Sequence, residues 1–149
     1  MASNSTLYAE GSPSYPASAD ITQIPALASL DNNTASERIQ LRRVNSGSGA
    51  PSTVIVDGGV VQANIGLTGV TWPAADDNRK MIVAYTLNDA MPAHNGVLGS
   101  GDPAVTLPTP TQLQIGNGAG IGTLNGYIKR VTYWNTRLPN ATLQSHTAP

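Results

Sequence analysis

QLQIGNGAGIGTLNGYIKRVTYWNTRLPNATLQSHT, residues Gln112 to Thr147, is the stretch whose reading decides the fold. Leu113 and Ile115 alternate with Gln112 and Gln114, the period of a half-buried strand, and Gly116 ends it. Gly116 to Gly122 is too glycine-rich for the interior of a strand or helix and reads as a loop. Tyr127 to Asn135 is then the longest run of β-branched and aromatic residues in the chain. Alternation puts Ile128, Arg130, Thr132 and Trp134 on one of its faces and Tyr127, Lys129, Val131 and Tyr133 on the other. Leu138-Pro139-Asn140 stops the strand, and Asn140 is placed to N-cap a short helical turn through Leu143.

Upstream, the same alternation recurs between turn signals. Strands are expected over Thr6–Glu10, Ala26–Leu30, Arg38–Val44 (Ile39 and Leu41 inward), Thr53–Asp57, Val60–Ile65 and Lys80–Leu87. Asp57-Gly58 marks a two-residue hairpin that sets Val56 near Val61. Asn88 to Leu98 reads as a turn back around His94-Asn95-Gly96, and Gly11–Pro25 and Gly99–Pro110 as long connections. About nine strands and no sustained helical period make the chain all-β, an antiparallel β-sandwich of jelly-roll type. An immunoglobulin-like sandwich is the alternative, but its Cys-Trp-Cys pattern is absent.

The 149 residues are expected to form one domain, 1–149. There is no cysteine, so disulfides and thiolate metal sites are excluded. A net charge of −1 with 11% charged residues gives no basic field for nucleic acid and no polybasic patch for a membrane surface. The N-terminus, MASNSTLYAEG, lacks the basic and apolar regions of a signal peptide.

The order L-x-I-G, glycine-rich loop, N-G-Y-I-K-R-V-x-Y, R-L in Leu113–Leu138 resembles the closing segment of concanavalin A-like (laminin-G-like) jelly-roll domains. With Thr6–Pro13, Ala26–Arg43 and Val56–Ile65 it is similar, more narrowly, to the lectin-like C-terminal module of tail-fibre and head-fibre proteins of tailed phages. That resemblance implies a virion-surface protein made in the bacterial cytoplasm. It would attach to host-surface polysaccharide or, alternatively, decorate the capsid by binding other virion proteins or its own copies. The chain is then either an excised C-terminal module or a complete small decoration protein. Several copies are expected, most simply a trimer, in contact through Gly11–Pro25 and Gly99–Pro110.

For sugar binding, Trp72 with Asp76, Asp77 and Asn78 combines an aromatic face with hydroxyl-binding groups, although closing one end of the core is the commoner use of a loop tryptophan. The resemblance also implies a calcium alternative built from Asp76, Asp77, Asn88 and Asp89; ordinary turn chemistry outweighs it, and no cofactor is expected. Catalysis is not expected. Glycoside hydrolysis needs two carboxylates flanking one bond, and neither Glu10 nor Glu37 has a carboxylate two or three residues away. Asp76 and Asp77 are adjacent and would point to opposite faces of a strand. His94 and His146 read as exposed turn and tail residues. Arg42-Arg43 and Lys129-Arg130 read as solvated strand faces, and Trp134 as core or interface.

Overall fold

The computed structural model describes residues 3–17, 24–44, 49–67, 70–72, 74–119 and 122–149. Among these residues there are ten strands: β1 Ser5–Pro13, β2 Ala26–Asp31, β3 Arg38–Arg43, β4 Pro51–Asp57, β5 Val60–Gly66, β6 Arg79–Thr86, β7 Asp89–His94, β8 Val97–Leu98, β9 Gln112–Ile115 and β10 Gly126–Trp134. A helix, α1, covers Asn140–Thr147. The strands form two antiparallel five-stranded sheets, sheet A in the order β10-β1-β6-β7-β8 and sheet B in the order β5-β4-β3-β2-β9. β1 packs over β2 and β6 over β3, so the sheets lie face to face.

Period-2 alternation builds the layer between them. Leu7, Ala9, Met81, Val83 and Tyr85 come from sheet A; Leu30, Ile39, Leu41, Ile55 and Ala63 come from sheet B. A second, smaller cluster lies on the far side of sheet A, where Leu143 of α1 packs with Tyr8, Ile82, Ala84 and Ala93. The expected hairpin is as read: Gly58 and Gly59 have φ of 57° and 81°, and Val56 pairs with Val61.

Three expectations are corrected. First, the faces of β10 switch. Glu10 pairs with Arg130 but Gly11 pairs with Ile128, so Lys129 is the extra residue of a β-bulge. Ile128 therefore joins the inter-sheet core, while both Lys129 and Arg130 reach β1: Lys129 pairs with Glu10 at 3.0 Å and Arg130 lies over Tyr8. Second, Asn140 is not the N-cap. Pro139 occupies that position, the Asn140 Oδ1 is buried without a partner, and the helix continues to Thr147 because Leu143 and Thr147, four residues apart, bury one stripe. Third, the chain does not turn at His94. Pro92 and His94 lie in β7, and Asn95-Gly96 makes the turn into β8. Gly99–Pro110, read as a long connection, packs against the sandwich. Val105 is fully buried, Asp102 bridges to Ala90, and Thr109 N–H donates to Glu37. Of the other expected loops, 18–23, 45–48, 68–69, 73 and 120–121 lie outside the described residues.

Gly126 opens β10 where the strand touches the end of β1. Its φ is not positive; space is the constraint, since a Cβ there would sit 2.1 Å from Ser12 O and 2.8 Å from Pro13 Cα. Both contacts are backbone and cannot rotate away. Gly126→Ala is expected to cost about 1–3 kcal/mol, read as a lowered urea midpoint at unchanged slope. An unshifted midpoint would show that the two strands separate there without penalty.

Candidate functional site

With α1 lying on β6, β7 and β8, much of the outer face of sheet A is occupied. Among the described residues no helix lies on the outer face of sheet B, which is built mostly from polar side chains, many of them buried. The alternation that sends Ile39 and Leu41 inward sends Arg38, Gln40 and Arg42 outward, beside Ser29 and Asp31 on β2 and Ser52 and Val54 on β4.

Asp31 organises one side of this face and is fully buried. Its Oδ1 accepts from the Asn33 N–H at 2.9 Å, Gln112 Nε2 at 2.8 Å and Gln114 Nε2 at 2.9 Å. Its Oδ2 accepts from Ser29 Oγ at 2.7 Å and the Ala119 N–H at 3.4 Å. Burial alone would raise its pKa, but these donors together hold it below the usual carboxylate value. The same residue of the glycine-rich loop, through Ala119 O, accepts from Arg38 Nη1 at 2.8 Å and Gln40 Nε2 at 3.3 Å. The loop is thus pinned to the sheet, and Arg38 is partly used in pinning it.

Arg42 is different. It is 9% exposed, and its buried Nε has no hydrogen-bond partner among the described residues. The ion pairs among the described residues are Arg79–Asp77, Lys129–Glu10 and Arg137–Asp89, none of which involves it. Burial first, and the charge of Arg38 second, push its pKa down to about 10. Two residues away on the same face, the buried Gln40 Oε1 also lacks a partner. A cationic donor and a neutral acceptor, both buried, thus lie two residues apart on one strand face without a partner among the described residues. That arrangement suits a ligand carrying a carboxylate and hydroxyls.

The residues singled out from the sequence are elsewhere. Trp72 is fully buried in the inter-sheet core, its Nε1 donating to Asp77 O at 2.8 Å and its ring 6.4 Å from that of His94. The burial that makes it a good core residue withdraws its face from any ligand. Asp76, Asp77 and Asn78 do cluster beside it, but two are engaged: Asp77 holds Arg79, and Asn78 Nδ2 donates to Glu10 Oε1 at 2.8 Å. Asp76 is exposed at a left-handed turn position with φ 55°. The calcium set is split. Asn78 precedes β6 and Asn88 follows it, so the two loops are separated by the strand's eight residues, about 26 Å at strand rise. Asp89 is held by Arg137 at 2.9 Å. No group of three or more His, Asp or Glu able to hold a metal occurs among the described residues.

Glu10 is buried at 6% exposure and accepts from Tyr8, Asn78 and Lys129, which outweigh burial and keep its pKa low. Glu37 accepts from the N–H groups of Gly58 and Thr109. His94 is not an exposed turn residue; it is 1% exposed in β7. His146 lies on α1, its ring 5.1 Å from Trp134. Arg43 is not solvated either. It points inward, fully buried, with Nη1 donating to Tyr15 O at 3.0 Å.

No family model matches the chain, and no curated protein sequence matches it. Solved structures do. The CBM40 module of the Ruminococcus gnavus IT-sialidase, bound to α2,3-sialyllactose, superposes with a TM-score of 0.75 at 15% identity, covering 100% of this chain and 84% of that one. The leech intramolecular trans-sialidase matches at 0.71 and 14% identity, over 98% of this chain and 23% of the enzyme. A heptameric SAP-like pentraxin from Limulus polyphemus matches at 0.68 and 11%, over 96% and 69%. At these identities the likeness establishes the fold: a concanavalin A-like jelly roll, as the closing segment implied.

Proposed function

We propose that the chain is a non-enzymatic glycan-binding module that holds an acidic sugar on the outer face of sheet B. The observation that carries this is Arg42, a guanidinium nine-tenths buried with no carboxylate paired to it among the described residues. A buried charge left unpaired is costly to the fold, and a ligand carboxylate would offset that cost. A sugar carboxylate would pair with Arg42, a ring hydroxyl would donate to Gln40 Oε1, and Arg38 would add a second positive charge. The R. gnavus module was solved with sialyllactose, an acidic oligosaccharide, which supports a ligand of this class. Turnover would need two carboxylates across the scissile bond. Among the described strand residues of this face the acidic side chain is Asp31, whose oxygens are already taken by five donors. The setting we propose is the one the sequence resemblance implies, the outside of a phage particle, where repeated copies turn weak single sites into firm attachment.

The test is titration calorimetry with sialylated and uronic-acid oligosaccharides against their neutral counterparts. Arg42→Met is expected to lower affinity for the acidic ligand about 10–100-fold, the loss of one charged hydrogen-bond pair. The same substitution should leave the melting temperature unchanged or raise it, because it removes a buried unpaired cation. Equal binding of acidic and neutral sugars, or wild-type affinity in Arg42→Met, would remove the basis of the reading.

A further inference from the structure

We propose that Asn117, in the glycine-rich loop, is a self-modification site at which the folded chain converts an asparagine to an acidic residue beside the Arg38–Arg42 face. The reaction is intramolecular. The Gly118 nitrogen, its proton passed to hydroxide, attacks Cγ of Asn117. The new N–Cγ bond closes a succinimide ring, and the side-chain nitrogen leaves as ammonia. Water then opens the ring at either carbonyl, giving aspartate or the β-linked isoaspartate. Water is the only co-reactant, and nothing is oxidised or reduced. A following glycine favours the step because no Cβ hinders the approach.

The chain holds the pairs Asn95-Gly96, Asn117-Gly118 and Asn125-Gly126, and the fold sets them apart. At the first, both reacting groups are engaged elsewhere: Asn95 Oδ1 accepts from the Lys80 N–H at 2.9 Å, and the Gly96 N–H donates to Thr147 Oγ1 at 3.0 Å. At the last, the peptide is built into sheet A. Asn125 O accepts from the Ser14 N–H at 2.8 Å, Gly126 pairs with Pro13, and Gly126 packs directly on the Ser12 carbonyl. Asn117 is exposed to water, and its carboxamide is folded back onto the next peptide, with the Gly118 N–H donating to Asn117 Oδ1 at 2.8 Å. Nucleophile and electrophile are thus already close, and a turn about Cβ–Cγ presents the carbon face to the nitrogen.

The product falls between two fixed points. Upstream, the Gly116 N–H donates to Leu27 O at 2.9 Å, and Gly116 O accepts from the Leu124 N–H at 2.8 Å. Downstream, Ala119 is bonded to Asp31, Arg38 and Gln40. Isoaspartate lengthens the backbone between them by a methylene, so one set of bonds must give. Either product also places a carboxylate two residues from the carbonyl that Arg38 holds. At a separation of about 10 Å, partly screened, such a charge changes the affinity for an anion by about 2–10-fold. That effect rests on the glycan reading of the preceding section; the conversion does not.

Peptide mapping by mass spectrometry after incubation at mildly alkaline pH tests the conversion, on the folded chain and on the chain unfolded in guanidinium chloride. In the folded chain Asn117 is expected to convert at least about tenfold faster than Asn95 or Asn125, while the unfolded chain should convert all of them at similar rates. The rate at Asn117 should rise with pH, because the attacking nitrogen must lose its proton. Asn117→Gln, whose longer side chain would have to close a larger ring, should come through the same incubation unconverted. Conversion of Asn95 or Asn125 ahead of Asn117, or an Asn117 that stays intact while the chain is folded, would overturn the proposal. Asn117→Asp, which fixes one product, is expected to bind an acidic oligosaccharide about 2–10-fold more weakly than the parent in titration calorimetry; equal affinity would sink the link to the ligand. A parent that converts at Asn117 but binds no acidic sugar would reject the glycan reading alone.

Discussion

Trp72→Ala is expected to destabilise the chain by about 3–5 kcal/mol, the cost of emptying a large aromatic site in a packed core. Trp72 is fully buried between the sheets, and its ring is fixed by the Nε1 bond to Asp77 O. The substitution removes both the volume and the donor that satisfies that carbonyl, and Trp72→Phe should recover most of the packing but not the bond. Urea unfolding reads the loss directly. The folded fraction of Trp72→Ala should still bind acidic sugar with wild-type affinity, because the ring lies in the inter-sheet core and not on the outer face of sheet B. Full stability combined with lost sugar binding would return Trp72 to the ligand site.

A fall in stability between pH 7 and pH 5 is the second large effect, and it comes from His94. Its ring is 1% exposed, and neither nitrogen has a hydrogen-bond partner among the described residues. Burial, helped by the positive charge of Arg79 and opposed by Asp77, lowers its pKa from 6.5 to about 4. The neutral ring is thus the folded form. Above pH 6.5 neither the folded nor the unfolded chain binds the proton, and stability does not change through this group. Below 6.5 the unfolded chain takes up the proton and the folded one does not, so stability falls until about pH 4 and then levels. Between pH 7 and pH 5 this amounts to about 2 kcal/mol. The low-pKa carboxylates Glu10 and Asp31 act only below their unfolded values of 4.5 and 3.8, outside that window. Urea midpoints of His94→Leu should be nearly flat from pH 7 to pH 5 while those of the parent fall. A parent curve flat over the same range would show that His94 finds a proton acceptor on folding.

Much of the sandwich was legible in the chain because strands write themselves with a period of two. Ile39 and Leu41 could be assigned inward, and the Gly58-Gly59 hairpin with Val56 opposite Val61 could be read, from local chemistry alone. The bulge at Lys129 was not legible. An extra residue is defined by the partner strand, here Glu10 and Gly11, more than a hundred positions away. The continuation of α1 past its first turn was hidden for a similar reason. Its stripe is only Leu143 and Thr147, too weak a pattern without sheet A beneath it.

The sequence by itself determined the all-β class, the inward and outward faces of most strands and the absence of cysteine chemistry, since these depend on side-chain period and composition. It also placed Arg38, Gln40 and Arg42 on one strand face. Only the tertiary structure decided which polar residues matter. Asp77, Asn78 and Asp89 have partners, whereas Arg42 has no ion pair among the described residues, and whether a buried charge is paired depends on neighbours brought together from β2 and β4, not on neighbours in the chain. Trp72 went from candidate platform to core for the same reason: exposure is a property of what packs on a residue, and the chain order does not contain it.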